Sequence, residues 1–320
     1  MEKYKFLEGY ENFGSDELRI TKDINADFRS VLDKYKSLQY IGTGNPDAEV
    51  LFIGKEMAID TKKHQDQFNA TVSQNIDKWN SQQNGYKIIS GPKGNYWDSF
   101  SPWFPYYRQN NRIRLEPKEK EDGRKTVDNN GTSRTEYFYQ QIISSIYEIP
   151  EDEKQFLTLH MYAFQSELST ATAPTSAQVN LNERKQSIKN RKVLWQTPFF
   201  QNFPITILGI GPNKNYIDPD TEREDVINIV KDFNVEYYEV EYKEGEYKKG
   251  PIYIGKKFIN IHFSEDGTRM LPHTSHLSAS SSELIKEISI LCRKFLEGRA
   301  TNQGKANVQE YIYSLIKCKS

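Results

Sequence analysis

A three-layer αβα sandwich around a central, mostly parallel four-stranded sheet is the fold class this 320-residue sequence predicts, and three observations predict it. Four short runs are almost wholly apolar, at 49–53 (E-V-L-F-I), 155–162 (Q-F-L-T-L-H-M-Y), 204–210 (P-I-T-I-L-G-I) and 257–263 (K-F-I-N-I-H-F). A strand covered on both faces needs that near-continuous apolar character, whereas a half-exposed strand alternates. Between and around these runs, apolar residues recur at helical spacing, and strand alternating with helix is the pattern of the α/β class.

The elements follow in order. A helix is expected over 24–38, closing an N-terminal helical extension that occupies 1–40. The first strand comes next, preceded by the turn I-G-T-G-N-P-D-A. A long insertion then takes 60–150, including the aromatic stretch 95–107 (N-Y-W-D-S-F-S-P-W-F-P-Y-Y) and a charged, glycine-containing loop at 118–131. Within it, 135–149 carries apolar and aromatic residues at helical spacing. Residues 235–254 alternate like a hairpin with its turn around Gly245. A helix over 282–296 follows the last strand, with serines at its start as caps. No internal repeat or composition break divides the chain, so one decorated domain is expected over 1–320.

Composition limits what the chain can do. The net charge is −1, so no global field draws it to nucleic acid, and any phosphate contact must come from a local basic patch. Twenty Tyr and 17 Phe suit stacking surfaces and ordinary cores alike. The two cysteines, Cys292 and Cys318, cannot supply the four ligands of an iron–sulfur cluster or a structural zinc site, so no metal and no cofactor is expected. The start M-E-K-Y-K-F has no signal-peptide core, and no apolar run reaches bilayer length. A cytoplasmic, monomeric protein without membrane contact is the expectation.

Two segments carry the chemistry. In a parallel sheet functional groups gather where strands end at the carboxyl edge. The first strand exits through Gly54, Lys55 and Glu56; Gly54 permits a sharp turn there, and Glu56 either pairs at the surface or projects into the crevice. After the last strand, L-P-H-T-S-H-L-S brings His273 to a loop before a helix, with His276 close behind. An imidazole there can donate a hydrogen bond or titrate near neutrality. Arg184, Lys185, Lys189, Arg191 and Lys192 form a basic cluster before the third strand, which a solvated helix face explains as well as phosphate binding does. Trp97 to Arg114 combines aromatics with arginines, a mixture that holds single strands and that a packed lid explains equally well.

The segment G-x-G-N-P-x-A-x-x-x-F-I-G, from Gly42 to Gly54, resembles the first motif of the uracil-DNA glycosylase superfamily, and H-T-S-H-L-S resembles its second. The resemblance spans roughly 41–295 and implies a uracil-DNA glycosylase-like fold. It also implies DNA, double- or single-stranded, as partner. The activity implied is that of a monofunctional glycosylase, which flips a damaged or modified base from the stack and hydrolyses its N-glycosidic bond. It assigns Glu56 to orienting water and stabilising the sugar cation, and His273 to donating toward the departing base. Thr274, Ser275, His276, Leu277 and Ser278, with Arg184 and Lys185, become DNA contacts, Leu277 as a wedge into the stack. Gly54 lines the base pocket, and Phe68, Trp97 and Phe100 are candidates to stack on the base.

Three departures from the family pattern stand out. The cluster cysteines of the branch it looks most like are missing, which implies a cluster-free lineage. Met57 and Ala58 stand where a proline is usual. Relatives place an asparagine at the end of the second strand, where L-T-L-H-M-Y puts Thr158 or His160, and neither side chain pairs like an amide. Uracil is therefore not assumed as the base. Two other expectations compete: a nucleic-acid-binding module that kept the fold without the chemistry, and a phosphate-binding protein using Gly42 and Gly44. The second is weak, because those glycines precede the strand whereas phosphate loops follow one.

Overall fold

The computed structural model describes residues 5–8, 10–12, 17–82, 84–89, 101–103, 117–119, 125–127, 134–150, 159–211, 230–237, 240–243, 246–248 and 251–317. Eight strands form the main sheet: β1 (Thr43–Gly44), β2 (Val50–Gly54), β3 (Ala163–Glu167), β4 (Ile205–Leu208), β5 (Glu236–Tyr237), β6 (Ile252–Ile254), β7 (Lys257–Phe263) and β8 (Met270–Thr274). Its principal helices are α1 (Ala26–Lys34), α2 (Arg134–Ile146), α3 (Leu181–Trp195), α4 (Ser282–Arg299) and α5 (Gly304–Lys317). The sheet runs β5-β7-β8-β4-β2-β3-β1, with β6 pairing β7 alongside. Parallel pairing holds in its middle, where β2 lies between β3 and β4 and β4 pairs β8. The strands at both margins are antiparallel. The fold is therefore α/β with a mixed sheet of twice the expected strand number.

Burial explains why the middle strands sit where they do. Along β2 every residue is buried, and side chains alternate between two cores. Val50 and Phe52 pack with Ile142 and Ile143 of α2 and with Leu284, Ile288 and Phe295 of α4. Leu51 and Ile53 pack on the other face with Phe28 and Leu32 of α1, Trp79, and Leu194 and Trp195 of α3. Helix α4 starts where serine chemistry places it, because the Ser281 hydroxyl accepts from the Leu284 amide.

Three expectations are corrected. The second strand is not 155–162: Leu159–Tyr162 is a helical turn and the strand is Ala163–Glu167. Its sequence A-F-Q-S-E looks too polar for a buried strand, yet all five residues are buried, the Ser166 hydroxyl held between the Ile41 carbonyl and Arg191 while Oε2 of Glu167 is left unpartnered. Lys257–Phe263 is a strand but runs antiparallel, and the parallel member is its hairpin partner β8. Pro272 interrupts the apolar pattern of β8, and so hides it. The N-terminal 40 residues are not simply helical, since Glu17–Asp23 pairs with Tyr10–Asn12 on one side and Asn84–Ile89 on the other in a separate three-stranded sheet. Within the alternating stretch 235–254, Val240–Lys243 pairs Glu246–Lys248 antiparallel, while Gly245 lies outside the described residues. The 118–131 stretch contributes only a short pair, Pro117–Glu119 with Lys125–Val127, to the described residues.

Candidate functional site at the carboxyl edge of the sheet

The parallel strands end level with one another. Gly54 is in register with Glu167, Ile53 with Leu208, and His273 with Leu208. The Gly209 amide donates to the Ile53 carbonyl at 3.0 Å, which sets Gly209 beside Gly54. Neither glycine carries a side chain, so neighbours lie across the strand ends. A Cβ on Gly54 would fall 2.2 Å from Oε2 of Glu167, and one on Gly209 would fall 3.3 Å from Cγ of Leu277 and 3.9 Å from the Tyr139 hydroxyl. Gly54 is thus required for the space that Glu167 fills, not for the sharp turn expected of it.

Glu167 is the residue that sequence reasoning missed. Its carboxyl is buried, and burial pushes its pKa up to about 8; Glu56 and Glu136 push the same way, while Arg191 and a hydrogen bond from Gln165 oppose them. Glu136 and Tyr139 reach this corner from α2, and the Tyr139 ring stacks on Phe52 at 4.0 Å and 19°. Arg191, on the buried face of α3, binds the end of β3: Nε donates to the Glu167 carbonyl at 2.9 Å and Nη2 to the Ser166 hydroxyl at 3.0 Å. Nη1 donates to the Tyr40 carbonyl, and the guanidinium lies 5.3 Å from the Tyr40 ring centroid. A signal for these residues existed in the sequence: Arg184, Ile188 and Arg191 fall at i, i+4 and i+7, one face of a helix.

Glu56 does not project into the crevice. Arg184 holds it through two contacts, Nε to Oε2 and Nη2 to Oε1, both 3.2 Å, and the Ser176 hydroxyl donates to Oε1. Both side chains of the ion pair are 1% exposed. Arg184 is therefore not a free phosphate contact, while Lys185, one residue on, is exposed on the outer face of α3. Lys55, half-buried between Gly54 and Glu56, has its pKa lowered by burial, with Glu56 opposing and Arg184 reinforcing.

His273 is a strand residue instead of a loop residue. It is 3% exposed, with Nδ1 3.2 Å from Asn260 Nδ2 and Nε2 3.3 Å from the Gly211 carbonyl oxygen. Burial holds its pKa down to about 3, with His262 pushing the same way. Thr274 is also buried, donating to the Phe258 carbonyl at 2.7 Å. Leu277 is fully buried in the core on the α2 side, so it is not poised as a wedge. Ser275, His276 and Ser278 are half-buried, with His276 Nδ1 2.5 Å from the Ser278 hydroxyl. His276 lies in the electrostatic reach of Lys55 and Glu56, and burial followed by Lys55 lowers its pKa to about 4. Its amide nitrogen would lie 3.6 Å from a Cβ on Gly211, a residue at φ +77 beyond the end of β4. Of the two histidines, His276 is the one within the electrostatic reach of the first strand's exit.

The remaining candidates divide. Phe68 is partly buried against Tyr40, Ile59 and Val72, beside the loop that leaves β2. His160 is buried ahead of β3, at the amino end of that strand and away from the strand exits, so it does not stand where a base-edge reader was expected. Trp97, Phe100, Thr158, Cys318 and the arginines at 108, 112 and 114 lie outside the described residues. Cys292 is buried, with its thiol pushed up by burial.

Among the described residues no group of His, Cys, Asp or Glu could hold a metal ion, and no helix is long and apolar enough to cross a membrane. Two surface depressions, of about 710 and 270 Å³, border α1 and include no strand-exit residue. Fold and site together define an α/β protein with a polar, partly sealed cluster at the carboxyl edge of its parallel strands. No family model, no curated protein and no solved structure matches the chain.

Proposed function

We propose that this edge binds a nucleotide flipped out of DNA and hydrolyses the bond between its base and sugar, as a divergent, uracil-DNA glycosylase-like enzyme. One observation carries the reading. The two motif segments, more than two hundred residues apart in sequence, leave parallel strands at the same edge, where His276 lies within the electrostatic reach of Lys55 and Glu56. Hydrolysis of this kind develops positive charge on the sugar and negative charge on the leaving base, so it needs groups of both kinds at one place. Lys55 and Glu56 follow one another at one strand exit, and His276, beyond another, lies within their electrostatic reach.

The expected roles shift accordingly. His276 takes the place assigned to His273, whose ring is committed to Asn260 and the Gly211 carbonyl. The end of the second strand is Glu167, so the group beside a bound base is a carboxyl and not Thr158 or His160. A second reading, a nucleic-acid-binding module without chemistry, is favoured by the buried ion pair of Glu56 with Arg184, which commits both oxygens of that carboxylate to protein donors. Oligonucleotides each bearing one altered base decide between them, with alkali cleavage revealing abasic sites. Base release that is lost in His276→Ala supports the enzyme. No product from uracil, hypoxanthine, xanthine or bulky modified pyrimidines, with salt-sensitive binding intact, leaves only the binding module.

A further inference from the structure

Two buried oxygens in the cluster have no hydrogen-bond partner, the Tyr139 hydroxyl and Oε2 of Glu167. Tyr139 is fully buried and Glu167 is 7% exposed, so water does not substitute freely for the missing partner. The two oxygens stand over Gly209 and Gly54, adjacent residues of neighbouring strands whose backbones run about 5 Å apart. They come from different elements, Tyr139 from α2 and Glu167 from the end of β3. An orphaned polar atom in such a place costs stability and calls for an explanation.

We propose that Tyr139 and Glu167 are a pair of hydroxyl donors for one carbonyl oxygen of a ring that gains negative charge. The ligand class is then an oxo-bearing base, an oxopyrimidine or oxopurine, and not an amino-only base such as adenine. This rests on the glycosidic reading above, where the departing base carries the negative charge, and assigns the donors that stabilise it.

The surroundings keep both groups in their donor form. Burial and the nearby carboxyls of Glu56 and Glu136 hold the Glu167 proton on, against Arg191 and Gln165. Tyr139 is pushed far above the usual phenol range by burial, then by Glu167, Glu136 and Tyr40. A neutral carboxyl beside a phenol, in an apolar wall, is an established way to stabilise an oxyanion without an extra positive charge. The apolar wall is present here, as Phe52 lies flat under Tyr139 and Leu277 closes over Gly209.

The test uses the full chain and the free base 5-nitrouracil, an acidic oxopyrimidine whose absorbance changes on ionisation, with adenine as the control. Wild type should bind 5-nitrouracil and not adenine. Tyr139→Phe and Glu167→Ala should each weaken binding by about tenfold or more, the loss expected for one hydrogen bond to a charged acceptor. Glu167→Gln keeps an N–H donor in the same place and should retain affinity within about threefold of wild type. Gly54→Ala, which pushes the Glu167 carboxyl aside, should resemble Glu167→Ala. Equal binding by wild type, Tyr139→Phe and Glu167→Ala overturns the donor pair, and so does equal binding of adenine or no binding of 5-nitrouracil. Discrimination of the probe without base release from any oligonucleotide overturns the reaction and leaves the donor pair standing. Base release that Tyr139→Phe and Glu167→Ala leave untouched does the reverse.

Discussion

Replacing Glu167 with glutamine should make the protein more stable at pH 8 than wild type, and hardly change it at pH 5. The Glu167 pKa is raised from 4.5 to about 8 in the folded chain, chiefly by burial. The sign follows from linkage. A group with a raised folded pKa contributes stability that is fully present below its unfolded pKa and is lost as pH rises through the folded value. Wild type therefore loses stability from about pH 4.5 to 8, at a slope approaching 1.4 kcal/mol per pH unit. Glutamine has the same shape as the neutral carboxyl and does not titrate, so this slope disappears in the variant. The difference between the two proteins should grow by on the order of 4 kcal/mol between pH 5 and pH 8. Urea unfolding followed by tryptophan fluorescence at the two pH values measures it. All other titrating groups are common to both proteins and cancel to first order. A variant destabilised by the same amount at both pH values would refute the argument, because Glu167 would then already be ionised in the folded chain.

Further outcomes follow from the same geometry. His160, His262 and His273 are held down to about 3, 4 and 3 by burial, so they contribute stability above about pH 6.5 that is lost as pH falls toward those values. With Glu167 acting from the alkaline side, wild-type urea midpoints should peak near pH 6.5, whereas those of Glu167→Gln should level off above it. A midpoint that keeps rising from pH 6.5 down to pH 5 contradicts this. Glu56→Ala strands the buried Arg184 charge and should cost about 3–5 kcal/mol, while Glu56→Ala with Arg184→Met should recover much of it; additive losses in the double variant would show that the pair is not coupled. Leu277→Ala should cost about 2–5 kcal/mol in urea unfolding, as a cavity at a fully buried leucine does. A loss of DNA affinity at unchanged stability would instead restore Leu277 to the wedge role.

Much of the scaffold was legible because apolar burial leaves a direct trace. V-L-F-I is buried on both faces in β2, and I-T-I-L in β4, and both lie within a residue or two of their expected bounds. The helix beginning at Ser282 was legible from its serines and its apolar spacing. Strands failed where burial was achieved by polar pairing. A-F-Q-S-E carries three polar residues, and the strand is held by distant partners: Ser166 donates to the Ile41 carbonyl at 2.5 Å and Arg191 binds the backbone of Glu167. That compensation comes from residues about 25 and 125 positions away, beyond the range of any periodicity. The marginal strands Thr43–Gly44 and Glu236–Tyr237 are two residues long, too short to show alternation at all.

The site shows the same division at finer scale. Motif resemblance singled out the two segments, because a strand exit followed by a characteristic run of residue types is a local property. It does not show what each side chain inside them touches, because those partners are set by tertiary contact. Glu56 is closed by Arg184 from 128 residues away, and His273 lies inside the sheet because it belongs to β8, a strand whose apolar pattern Pro272 interrupts. Gly54 is the most instructive case. Its sequence context suggests a turn, while its structural reason is the carboxyl of Glu167, 113 residues later, occupying the volume a Cβ would need. A carboxyl laid across a strand end, buried and neutral, is unfavourable for folding between pH 5 and 8 by the linkage above. The destabilising arrangement and the unpartnered oxygens share one residue, and such sites are where a fold departs from its own stability optimum for a ligand. Glu167 is therefore the position at which the stability measurement and the binding measurement interrogate the same proton.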